Sequence, residues 1–365
     1  NRSKANFITI FIVIDCILLI ICYIATMLFR SIFKKNLTHF ASQLPVKWLM
    51  NRVEQPLILP FYHLISDVPV PHVDELYQVK TVQEFEQDLE FFLKYYRPID
   101  IPQLVKISKS GVVPKEPACL LSFDDGLREF YDYIAPVLLR KGVPAVCFLN
   151  TAFIDNQDLF FRYKASLLIG CFNENPDLKK LKSVQRWRQQ FSNNNLKEQL
   201  LAIKYHNQEQ LDQLATAIDF DFKSYLETQQ PYMTSAQILE LREQGFYFGG
   251  HSVDHPEYQY IDLSSQLKQT MDSVNQVMEK YKISHGLFSF PFTDHKVSNE
   301  FFDNIKKESQ MELTFGTAGL KNETIPFHFQ RIPFDVGNLS AHEIHNVELL
   351  YYLLKKPLGK NTILR

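Results

Sequence analysis

Short apolar runs that alternate with helix-length amphipathic stretches limit this chain's fold more than any other feature. The runs are "PLILPFYHLISD" (56–67), "ACLLSF" (118–123), "VPAVCFLN" (143–150), "FYFGGH" (246–251) and "GLFSFPF" (286–292), with later candidates in "LTFGT" and "RIPFDV". Between the first two, Thr81 to Tyr96 places Phe85, Leu89, Phe92 and Leu93 on one helical face. Phe130 to Lys141 is helix-like and stops at Gly142. This β-α-β-α rhythm predicts a parallel sheet or barrel. It breaks between Asp158 and Pro231, where Gln, Asn, Lys and Leu recur at helical spacing with no convincing strand. That stretch, 158–231, reads as a helical insertion within one domain. "NNN" at 193–195 is a turn between its helices. After it, "MTSAQILELREQG" carries a capping-box pair, Thr234 and Gln237, and closes at Gly245. Ser264 to Tyr281 and the terminal "LLYYLLKKPLGK" read as amphipathic helices.

The 365 residues suit one large domain or two ordinary ones, and an apolar fraction of 45% is ample for a core. Residues 7–29, "FITIFIVIDCILLIICYIATMLF", contain one charge, Asp15, and are long enough to span a bilayer. The expected organisation is a transmembrane segment in 1–29 and a basic linker or helix in 30–55. A barrel over 56–340 follows, then a C-terminal helix and tail over 341–365. Arg30, Lys34, Lys35, Lys47 and Arg52 outnumber Arg2 and Lys4 across the apolar stretch. A single-span, membrane-associated protein with its body on the cytoplasmic face is therefore expected, if that segment is retained. A net charge of −2 and no long basic run after the N-terminal stretch argue against nucleic acid as a partner. The five cysteines are scattered, without CxxC or metal-type spacing.

Two short motifs carry the chemistry. Asp124 and Asp125 end "ACLLSFDDG", and His251 and His255 follow "FYFGG" in "HSVDHP". Functional residues of parallel α/β folds gather at the C-terminal ends of strands. Gly249 and Gly250 before the histidines and Pro256 after them favour a loop. Alone, Asp-Asp-Gly is usually a turn, and HxxxH is usually incidental. Together, at the mouths of two strands, they read as a metal site. Two imidazoles and a carboxylate suit Zn²⁺ or a similar divalent ion, with open positions for water and substrate. The cation's charge lets the second aspartate stay ionised beside the first and take a proton from acidified water.

"SFDDG" and "HSVDH" resemble the first two motifs of the polysaccharide deacetylases of the NodB-homology type, carbohydrate esterase family four. "SFPF" resembles a degraded third motif. The resemblance covers roughly Pro56 to Leu339, interrupted by the insertion. It implies a distorted (β/α) barrel and metal-dependent removal of acetyl groups from an N-acetylated glycan. Carried over by position, Asp124 is the general base, and Asp125, His251 and His255 hold the metal. The arginine usual two residues before the proline is Ser289 here, and the usual glycine after the aromatic is Thr293. The family's late Leu-His motif has no clear match, and His342 and His345 in "LSAHEIH" read as surface residues. "FYHLISD" instead resembles the Tyr-His element of the circularly permuted poly-N-acetylglucosamine deacetylases. That implies His63 as the acid that protonates the departing amine.

Around these, the Phe292 N–H is a candidate oxyanion donor, and Asp294 and His295 are candidates to line the cleft. Arg331 in "RIPFD" is a candidate to replace the missing arginine and orient Asp124, an ordinary surface arginine being the blander reading. The competing expectations are a non-catalytic glycan-binding homologue, which the weakened third motif favours, and an amidase acting on a non-sugar C–N bond. A fourth is a membrane scaffold that works through residues 7–29.

Overall fold

A computed structural model describes residues 37–308 and 310–365. The apolar stretch 7–29 lies outside them. Among the described residues, no helix is long and apolar enough to cross a membrane.

Eight strands form the main sheet. They are β1 (Pro60–Tyr62), β2 (Leu121–Phe123), β3 (Ala145–Leu149), β4 (Tyr247–Gly250), β5 (Gly286–Ser289), β6 (Met311–Gly316), β7 (His328–Gln330) and β8 (Ile332–Pro333). Their order is β7-β6-β5-β4-β3-β2-β1-β8, and every pairing is parallel. The two ends of that order, β7 and β8, are one stretch of chain parted only by Arg331. The stretch pairs with β6 through its first half and with β1 through its second. Arg331 N–H donates to Gly316 C=O at 3.1 Å, and Ile332 N–H to Leu59 C=O at 3.0 Å. The sheet therefore closes into the expected distorted (β/α) barrel, and Arg331 marks the seam.

Two apolar runs that read as single strands each serve two sheets. Leu57–Ile58 and Ala118–Cys119 pair with each other in a small three-strand sheet that also holds Arg97–Pro98. The same runs then enter the barrel as β1 and β2. Pro60, which has no N–H for a ladder, sits at the crossover of the first.

Helices cover the barrel with their apolar stripes inward. In Val82–Tyr95, capped by a Thr81–Glu84 box, Phe85, Leu89 and Phe92 are buried against Tyr62 and Phe123. Leu93 is exposed, because one residue past Phe92 turns the side chain about 100° around the axis. Thr234 and Gln237 form the expected box at the start of Ser235–Glu243. In Ala341–Lys355, His345 departs from its surface reading. It is buried, with Nε2 2.6 Å from the Tyr96 hydroxyl, because this helix packs on Val82–Tyr95.

Between β3 and Ser235–Glu243, on the way to β4, the chain makes five α-helices: Phe161–Glu174, Lys182–Arg188, Leu196–Ala202, Glu209–Ala217 and Phe222–Gln229. Leu168, Leu200, Leu211 and Leu214 fill their core, which is continuous with Leu64, Val70 and Leu127 from loops of the barrel. The segment is thus packed onto the mouth of the barrel and not tethered beside it.

Candidate active site

The end of β2 delivers two carboxylates through a turn that needs its glycine. Asp125 and Gly126 both have left-handed φ, +71° and +67°. A Cβ on Gly126 would lie 2.8 Å from Leu149 Cδ2, so a side chain there is excluded twice over. The end of β4 delivers the histidines. A Cβ on Gly249 would meet Leu287 at 2.8 Å, so glycine lets β4 approach β5 closely. His255 itself sits at φ +64°, held by its N–H donating to Ser252 Oγ at 3.0 Å.

These loops bring Asp125, His251 and His255 together. One ligand atom from each lies within 4.8 Å of the others, and all three residues are buried. Asp125 Oδ1 is 3.3 Å from His255 Nε2 and 3.5 Å from His251 Nε2, and it accepts no hydrogen bond. Asp125 Oδ2 accepts from the Tyr163 hydroxyl at 2.7 Å. His251 Nδ1 donates to Ser289 C=O at 2.8 Å, which leaves Nε2 as the lone-pair nitrogen facing Asp125. Burial pushes the His251 pKa down to about 4, so the ring is neutral at pH 7, the form that ligates metals. Burial would raise Asp125, but the proximity of His255, His63 and His251 outweighs it and holds the carboxyl well below its usual range. A buried, ionised oxygen with no donor, facing two imidazole nitrogens, is an arrangement that suits a cation. The donor set of one carboxylate and two imidazoles fits Zn²⁺.

Asp124 is a different kind of buried carboxylate. Arg331 grips it with two parallel bonds, Nη1 to Oδ1 at 2.8 Å and Nη2 to Oδ2 at 2.7 Å. The same guanidinium donates to Ser122 Oγ and Ser289 Oγ and lies 4.3 Å from the Phe61 ring centroid. Arg331 is fully buried, which overturns the surface reading. Its place at the seam explains this, since alternate residues of a closing strand point into the barrel. Ser289, where the motif's arginine is missing, is small enough to admit this guanidinium from the strand across. Burial raises the Asp124 carboxyl, but Arg331 outweighs it, so the pKa falls and the group is ionised at neutral pH. Asp124 Oδ2 is 3.9 Å from His251 Nε2, beside the group of Asp125, His251 and His255.

His63 lies across from Asp124 at the end of β1, its side chain 30% exposed. Both its N–H and its Nδ1 contact Asp335 Oδ2 at 2.8 Å. Burial lowers its pKa, but Asp335, aided by Asp125 and Asp124, raises it to about 9. The ring is thus protonated at pH 7 with Nε2 free to donate. Phe292, at φ +55° and 40% exposed, stands its ring 4.6 Å from the His255 ring as one wall of the site. Its C=O accepts from Thr317 Oγ1, and its N–H has no acceptor among the described residues.

Asp294 does not join this group. Its carboxylate is bound by His328 Nε2 at 3.1 Å, Gln330 Nε2 at 2.9 Å and Arg365 Nη2 at 2.6 Å. His295, beside it, is exposed. Two site residues escaped the sequence reading. Asp335 stands in the quoted "RIPFD", but nothing local links it to His63. Tyr163 lies in a stretch legible only as helix.

The family profile described as polysaccharide deacetylase matches residues 111–307. No curated protein matches the chain. Among solved structures, the Streptococcus pyogenes deacetylase PplD in complex with acetate shares 13% identity at a TM-score of 0.52, over 80% of this chain and 97% of that one. A de-N-acetylase from Aggregatibacter actinomycetemcomitans shares 13% at 0.50, over 80% and 99%.

Proposed function

The chain belongs to the polysaccharide deacetylase family, and from that premise we propose that it is a metal-dependent hydrolase removing N-acetyl groups from an N-acetylated glycan. One observation carries the metal dependence: the unpartnered Asp125 Oδ1 facing the Nε2 atoms of His251 and His255. Those three residues would hold a divalent ion, with Zn²⁺ favoured by the donor set. When bound, the cation supplies Lewis acidity, which polarises an amide carbonyl and acidifies water.

The chain's own groups do the rest. Asp124, kept ionised by Arg331, takes the proton of the attacking water as a C–O bond forms at the acetyl carbon. The Phe292 N–H donates to the carbonyl oxygen as negative charge builds on it. His63, protonated and steered by Asp335, gives its proton to the sugar nitrogen as the C–N bond breaks and acetate leaves. The substrate of the non-catalytic alternative would be the same glycan; its support is the weakened third motif, and at one of that motif's two departures, Ser289, Arg331 brings a guanidinium to Asp124. Asp294 has no part in this scheme.

The test is acetate release from oligomers of N-acetylglucosamine by Zn²⁺-loaded protein, before and after chelation. Release that stops on chelation and returns with Zn²⁺ is expected. Release that is indifferent to chelator overturns the metal dependence. Glycan binding without release overturns the hydrolase reading.

A further inference from the structure

The two histidines of the candidate centre are oriented by different means. His251 has its Nδ1 fixed by Ser289 C=O. His255 Nδ1 is buried with no partner, so no hydrogen bond sets its ring. What fixes that ring is packing, between Phe160 at 4.3 Å and Phe292 at 4.6 Å, and the loop that carries it. That loop holds Ser252 and His255 at φ +67° and +64°, conformations that non-glycine residues keep only where their surroundings over-determine them.

The surroundings come from two sides. From the barrel, Gln269 accepts from Val253 N–H and donates to Asp254. From the segment between β3 and β4, the Tyr205 hydroxyl donates to Asp254 Oδ2 at 2.8 Å, and Lys204 Nζ to Glu257 Oε1 at 2.9 Å. Asp254 and Glu257 bracket His255. The same segment supplies Phe160 to the His255 ring and the Tyr163 hydroxyl to Asp125 Oδ2. With Oδ2 held there, Oδ1 is the oxygen left to face the imidazoles.

We propose that the helical segment between β3 and β4 is a clasp for the metal centre. Tyr163 positions Asp125, and Lys204 and Tyr205 position His255, so that the segment sets how tightly the cation is held. This rests on the metal-site reading above. It assigns the segment a role distinct from a mobile lid or a docking module, because its contacts fall on the ligands and their immediate neighbours in chain.

Zn²⁺ affinity, measured by competition with a chromophoric chelator, tests this without reference to turnover. Tyr163→Phe and the pair Lys204→Met with Tyr205→Phe are each expected to weaken Zn²⁺ binding about 10–100-fold, the usual loss when a ligand's outer partner is removed. The visible absorption of the Co²⁺-loaded protein should change shape in both. Lys223→Ala, on an exposed helix of the same segment, should change neither. Tyr163 is buried, so its variant is read beside its metal-free thermal unfolding. The half-exposed Tyr205 and Lys204 provide variants that keep the core intact. Wild-type Zn²⁺ affinity and Co²⁺ spectrum in both variants overturn the clasp. Absence of Zn²⁺ binding in the wild-type chain overturns the metal-site reading beneath it.

Discussion

Asp125–His251–His255 and Asp294–Glu323–His328 are two groups built from carboxylates and imidazoles, one carboxylate with two imidazoles in the first and two with one in the second, each with its ligand atoms within 4.8 Å of one another. They differ in what neutralises them. In the second, Arg365 Nη2 sits between Asp294 Oδ2 at 2.6 Å and Glu323 Oε2 at 2.7 Å, and Gln330 donates to both. A protein cation already fills the place of a metal. In the first, the guanidinium of Arg331 is committed to Asp124, and Asp125 Oδ1 has no donor at all. Clustered His and Asp therefore do not by themselves mark a metal site. An ionised oxygen left without a donor does, because burying it unpaired costs more than any nearby contact returns.

The largest effects should separate the two groups. Asp125→Ala or His251→Ala should abolish Zn²⁺ binding and cut acetate release by about a thousandfold or more, the loss of several kcal/mol of Lewis-acid stabilisation. Asp294→Asn should leave Zn²⁺ stoichiometry unchanged and act on stability alone. Equal loss of Zn²⁺ from both kinds of variant, read by elemental analysis, would erase the distinction.

The two guanidiniums sharpen it further. Arg331→Met removes the cation that grips the buried Asp124, which costs about 3–5 kcal/mol of stability, measurable by urea unfolding at pH 7, and Arg365→Met, which leaves Asp294 with His328 and Gln330, costs less. Only Arg331→Met should also slow turnover. Its pH dependence has a definite sign. The Asp124 carboxyl is depressed in the folded state, so it contributes stability above the ordinary carboxylate pKa that is lost as pH falls. Without Arg331, desolvation dominates, the carboxyl rises, and the acid limb of the rate profile moves to higher pH. An unmoved acid limb would show that Arg331 does not set the charge of Asp124.

The first group was legible in sequence because its residues sit in two short runs at the mouths of strong strands, where polar groups in DDG and GGH directly follow an apolar run and face the barrel's open end. The fate of Asp294 was not, because its partners Glu323, His328 and Arg365 are spread over residues 323–365 without a recognisable pattern. Arg331 was ambiguous for a related reason. "RIPFDV" reads as a strand candidate, but the burial of its arginine follows only from closure of the barrel, a long-range fact. Asp335 lies 272 residues from His63, a pairing that no local rule anticipates. Tyr163 was hidden by periodicity itself, since a buried tyrosine on an amphipathic helix reads as core.

A subtler contrast lies in the His–Asp pair attached to each group. His328 is fully buried against Asp294, whereas His63 is 30% exposed beside Asp335. Only the second can exchange a proton with substrate and solvent. Asp335 raises His63 from 6.5 to about 9 against the pull of burial. The stability it adds is therefore present below about 6.5 and lost as pH rises through about 9. A bound dication opposes the imidazolium, so the alkaline limb of the loaded enzyme falls below that value. The direction of the mutant shift is unaffected. In Asp335→Asn burial acts unopposed by that charge, so the alkaline limb should move to lower pH, with a loss of about tenfold at pH 8 and little at pH 6. Asp294→Asn should leave the limb where it is. A limb that stays fixed in Asp335→Asn would remove His63 as the proton donor and leave the metal group standing without its acid.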